Sequence, residues 1–123
     1  MRKTTLWKLV ISVFALSLLM QNAAQADHPC SGLKLREQHL RNALQILAAK
    51  INNEKFELRG AEIAADNICA SYGENSGICK RARARVISLK NLIAANERHQ
   101  TAFEYSLAQT CTEERENNCP DPC

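Results

Sequence analysis

Between Leu33 and Ala70, apolar residues recur at steps of four and three: Leu40, Leu44, Leu47 and Ile51, then Leu58, Ala61, Ala65 and Ile68, with the row missing only at Glu54. That spacing gathers one stripe on one helix face, and its heptad character is that of a seam between two helices. The segment holds no proline and one glycine, Gly60, and good helix formers fill most of the rest. A second row follows at Cys79, Ala82, Val86, Leu89 and Ile93; it is interrupted at Asn96 and Gln100 and resumes at Phe103 and Leu107. It predicts a helix from about Gly77 to an end between Cys111 and Asn118, ahead of the helix-stopping Pro120 and Pro122.

The stretch between the rows reads Ser71-Tyr72-Gly73-Glu74-Asn75-Ser76-Gly77. Gly73 suits a helix C-terminal cap, and Asn75 or Ser76 suits the next N-cap. β-branched residues are few and never alternate cleanly, so no strand is expected. The fold class is therefore all-α: a long antiparallel helical hairpin of coiled-coil-like character, each helix ~50–60 Å at 1.5 Å per residue. Asn52-Asn53 offers a break in the first helix, which gives a three-helix arrangement as the alternative.

The chain's first residues change what counts as the folded part. Arg2, Lys3 and Lys8 surround the start of an uncharged, mostly apolar run over residues 9–20, and Ala24-Gln25-Ala26 offers an A-x-A cleavage site. Residues 1–26 read as a signal peptide and 27–123 as a single domain, exported to the periplasm or secreted after cleavage near Ala26. The apolar run falls short of the ~20 residues a spanning helix needs, which disfavours an uncleaved anchor. Three of the 16 basic residues lie in that leader, so the remaining 13 balance the 13 acidic ones. A broadly basic, nucleic-acid-seeking surface is not supported on this count, no nucleic acid is expected as partner, and any anion site must be local.

All six cysteines, Cys30, Cys69, Cys79, Cys111, Cys119 and Cys123, follow the leader. An even number on an exported chain reads as a disulfide framework that staples the domain. In an antiparallel hairpin, residues equidistant from the turn lie level. With a turn centred near Glu74, Cys69 and Cys79 are level, and Cys30 and Cys119 are level to within one residue. Cys69–Cys79 and Cys30–Cys119 are the expected bridges, leaving Cys111 and Cys123 to be joined by the proline-bent tail. The rival pairs Cys30 with Cys111 or Cys123.

Two clusters are candidate sites. Lys80, Arg81, Arg83 and Arg85 form a basic run that suits an anionic lipid, polymer or acidic partner; the simpler reading pairs these cations with Glu62 and Asp66 across the hairpin. Asn52, Asn53 and Glu54 interrupt the first row, and Asn96, Arg98 and Gln100 interrupt the second at about the same level. Buried polar residues in such a seam fix register at a cost in stability, and that role is preferred to a ligand site. Catalysis finds little support: His28, His39 and His99 are scattered, and no HExxH, GxSxG or P-loop pattern occurs. A zinc site built from His28, Cys30, Cys119 and Cys123 competes with oxidation of the exported thiols, and no metal or cofactor is expected.

Ala43, Ile46, Phe56, Ile63, Ile87 and Leu92 widen the apolar stripes past what a two-helix contact covers. The expectation is a non-enzymatic binding protein of the cell envelope, an inhibitor, adaptor or assembly factor, with another protein or a second copy as partner. The alternative is association with an anionic surface through the residues of the Lys80–Arg85 run.

Overall fold

The computed structural model describes residues 29–123; the predicted leader, its cleavage site and His28 lie outside the described residues. Two helices make up nearly all of it, α1 at Pro29–Tyr72 and α2 at Gly77–Glu116. At 1.5 Å per residue these are ~66 and ~60 Å long. They run antiparallel and pack along their lengths. α1 opens on Pro29, where a proline is tolerated because the first helical N–H has no intrahelical partner. It then continues unbroken through Asn52 and Asn53, so the three-helix alternative is corrected. Two poor helix formers are outweighed there by neighbours fixed in the interface, Ile51 and Glu54, both buried.

The loop follows from its residues. Gly73 takes φ +93, a left-handed conformation open to glycine, and its N–H reaches back to the Cys69 carbonyl at 2.9 Å. That ends α1. Three residues later Ser76 caps α2: its Oγ accepts from the Cys79 N–H at 3.2 Å and donates to the Gly73 carbonyl at 2.8 Å.

The other end is turned by an asparagine. Asn118 adopts φ 53, its N–H bonds the Arg115 carbonyl at 3.2 Å, and the Cys119 N–H bonds the Glu114 carbonyl at 2.9 Å. This is a Schellman closure with asparagine in the left-handed position that glycine usually fills. It sends the tail back across the hairpin mouth.

The interior is one thin layer. Ile51, Ala61, Ala65 and Cys69 of α1 meet Cys79 and Ile93 of α2, and Cys119 closes the mouth. Leu40, Leu44, Leu47, Leu58 and Ile68, with Val86, Leu89, Phe103 and Leu107 opposite, are half-buried along the same rows. So narrow a core contributes little for its length, and small domains of this kind rely on cross-links. Three are present: Cys30–Cys119, Cys69–Cys79 and Cys111–Cys123, with Cα–Cα distances of 5.4, 4.8 and 5.2 Å. The first two are the pairs equidistant from the loop.

Candidate functional site

The polar residues divide sharply by helix face. Glu54 lies three residues after Ile51 and four before Leu58, which places it in the interface row; Asn96 lies three after Ile93. Both are buried, and Asn96 Nδ2 donates to the two Glu54 carboxylate oxygens at 2.7 and 2.8 Å. Gln100 is half-buried. Asn52, Asn53 and Arg98 are exposed, which corrects their assignment to the seam layer: each is off the row by a step that turns it to solvent.

A second buried polar group, unmarked by the interruptions in the apolar rows, sits at the open end. Glu114 is fully buried beneath the returning tail, and Glu37 is nearly so. Lys34 stands between them, its Nζ 3.3 Å from Glu37 and 3.5 Å from Glu114, and it also donates to the Asp121 carbonyl of the tail. The Cys123 N–H donates to Glu114 Oε2 at 3.3 Å, while Glu114 Oε1 has no hydrogen-bond partner. Arg41 holds Glu37 from the next turn at 3.2 Å. The signal for this cluster was present: Glu37 lies three residues before Leu40 and Glu114 seven after Leu107, both on the interface rows.

Burial works to raise the Glu37 pKa, but hydrogen bonds and charge from Arg41 and Lys34 outweigh it and hold the carboxyl below its ordinary 4.5. A hydrogen bond from Arg83 does the same for Glu74, against a smaller effect of burial. In both cases the unfolded chain takes up protons first. The stabilisation is complete above the ordinary glutamate pKa and is lost as pH falls through the lower folded value. The urea midpoint is therefore expected to decline as pH is lowered from about 5 to about 3. Glu37→Gln should flatten that decline.

The basic run is partly committed. Arg83 bonds Glu74 at 2.8 Å and lies 3.7 Å from Asp66. Glu62 pairs with Lys90, at 3.5 Å, rather than with the run. Lys80, Arg81 and Arg85 are exposed and form no ion pair among the described residues. Arg36–Glu113 and Lys55–Glu97 also cross between the helices. Such surface pairs contribute roughly 0–1 kcal/mol each. Their alignment nonetheless favours this antiparallel register over a shifted one.

No cysteine is free, so none of the six sulfurs offers a thiolate to a metal or a substrate. The groupings Cys69–Glu74–Cys79 and Glu37–Glu114–Cys123 bring possible donor atoms together, but each contains a bridged sulfur, and Lys34 lies between the carboxylates of the second. His39 and His99 are exposed. A depression of about 410 Å³ runs along α2 beside Tyr105, Ala108 and Thr112, and one of about 250 Å³ lies between the helices at Glu62, Asp66, Arg83 and Lys90. Among the described residues, no helix is long and apolar enough to cross a membrane.

The outer faces carry the apolar residues that the hairpin does not use. Ile46, Phe56 and Ile63 on α1 are 70%, 76% and 63% exposed, and Ile87 and Leu92 on α2 are 59% and 44% exposed. Ala43 is half-buried beside the interface. Comparison with known protein families, curated proteins and solved structures finds no match.

Proposed function

We propose that this chain is a non-enzymatic, exported binding protein: a rigid helical rod, stapled by disulfides, whose outer faces dock on protein. The observation that carries the reading is the exposure of Ile46, Phe56, Ile63, Ile87 and Leu92 on a scaffold whose own interface is complete without them. Large apolar side chains in register along a helix are a common mode of helix recognition. The three- and four-residue steps of the inner rows support a coiled-coil-like contact between α1 and α2, stiff enough to present those faces without ordering cost. Six paired cysteines and the predicted leader support export to an oxidising compartment. An inhibitor, adaptor or assembly factor of the cell envelope fits these features.

The anionic-surface reading has less support, because Arg83 is engaged by Glu74 and Asp66, leaving Lys80, Arg81 and Arg85 to carry it. The docking reading is tested by placing a photoreactive side chain at Phe56 or at Ile87 in the exported protein and irradiating intact cells. A protein adduct from either position is expected. Lack of any protein adduct from both, with the protein correctly folded, would end the proposal.

A further inference from the structure

The outer face of α1 carries a second row, opposite the one that meets α2. Starting at Leu35 it steps by four and three through Ile46, Ala49, Phe56, Gly60 and Ile63 to Ala70, and its remaining positions are histidine or asparagine. None of its members is Asp, Glu, Lys or Arg, and all are exposed. The row extends ~52 Å at 1.5 Å per residue. A helix that is polar all round needs no such feature; one with a charge-free row opposite its buried row has two faces to cover.

The row is complementary to itself. When two copies of α1 lie antiparallel about a twofold axis midway between Glu54 and Lys55, residues equidistant from that level meet. Ile46 then faces the partner's Ile63, and Ala49 faces the partner's Gly60. A Cβ placed on Gly60 would meet nothing within 4 Å in the monomer, so its bare backbone is presented outward. The small layers leave room for the Phe56 rings near the axis.

Charge selects the same register. Lys50 and Glu57 border the row on one edge, seven residues apart, and neither forms an ion pair among the described residues. In the antiparallel arrangement Lys50 falls about 3 Å along the axis from level with the partner's Glu57, within reach of its long side chain, and the reciprocal pair forms by symmetry. On the other edge, with the same offset, Arg59 lies nearest the partner's Asn52 and Asp66 nearest the partner's Gln45, so no like charges meet. A parallel pair sets Lys50 and Glu57 beside Gln45 and Asn52 and gains neither ion pair.

We propose that the outer face of α1 is a homodimer interface, with two copies antiparallel through the row centred on Phe56. The contact is isologous and closed, so it ends at two copies. This deepens the docking reading above, on which it rests, by naming the occupant of the α1 face.

The test uses the purified, disulfide-intact protein in sedimentation equilibrium. Wild type is expected to be dimeric at micromolar concentration, and Phe56→Asp monomeric with an unchanged helical circular dichroism signal. Lys50→Glu sets two carboxylates against each other at both edge contacts, and Glu57→Lys sets two ammonium groups against each other there. Each alone should weaken the dimer by about tenfold or more. Mixed in equal amounts, the two variants have complementary edges and should form a heterodimer as tight as wild type. A monomeric wild type, or a dimer indifferent to Phe56→Asp, overturns the proposal. So does a mixture no tighter than its components. Should the wild type be monomeric while the photoreactive side chain at Phe56 captures a different protein, the docking reading stands and the homodimer does not.

Discussion

Replacing Cys30 and Cys119 together by Ala is expected to lower the unfolding free energy by about 4–5 kcal/mol, on a chain-entropy account in which long closures constrain the unfolded state most. The bridge joins residues 89 positions apart, against 10 for Cys69–Cys79 and 12 for Cys111–Cys123, which should each contribute about 3 kcal/mol on the same account. The interior gives little to set against that loss, since among the described residues Ile51 and Ile93 are the only large aliphatic side chains that are buried. The same bridge anchors the tail that covers Glu114, so its removal also opens the mouth to water. Urea denaturation of the two double variants, Cys30→Ala with Cys119→Ala and Cys69→Ala with Cys79→Ala, checks the ordering. Equal costs for the long and short closures would show that local packing, and not loop closure, sets the value of the bridges.

The hairpin was legible because its signals are local and periodic. The apolar steps locate both helices. Gly73 and Ser76 locate the loop through backbone chemistry that few other residues supply as well. Once the loop is placed, equal distance from it favours the Cys69–Cys79 and Cys30–Cys119 bridges, with Cys111 or Cys123 left as the rival partner of Cys30. The break at Asn52-Asn53 misled because intrinsic propensity is weak beside interface contacts on either side of it. The polar layer was legible only in part. Runs of polar residues mark a level along the rod, but the helical step decides which member turns inward, and it selects Glu54 and Asn96 over Asn52, Asn53 and Arg98. The same step places Glu37 and Glu114 inward. They escape a reading that follows apolar residues, since a charged residue on an interface row looks like the row's end until a partner such as Lys34 is seen. The tail was unreadable in detail because its path depends on Asn118 in a left-handed conformation, which sequence allows but does not require.

The Glu54–Asn96 contact separates stability from specificity, and the two should respond in opposite directions. Asn96→Leu leaves a buried carboxylate without the amide that holds both its oxygens, and is expected to cost about 3–5 kcal/mol. Glu54→Leu strands a neutral amide instead and should cost about 1–3 kcal/mol. The double replacement removes both polar groups and fills the layer with apolar volume, so it should recover to near wild-type stability or exceed it. The cycle would thus show coupling far from additive, measured by urea midpoints of the four proteins. What the double variant is expected to lose is discrimination between registers. With the polar layer gone, the helices can slide by a heptad at little cost wherever the bridges permit, and the exposed pairs Lys55–Glu97 and Glu62–Lys90 are too weak to prevent it. Oxidative refolding should reveal this, because a shifted hairpin brings Cys30 level with residues other than Cys119 and raises the share of mispaired cysteines. A double variant that refolds with wild-type fidelity would mean that the disulfides and the loop alone determine register, and that the buried pair is retained for another reason.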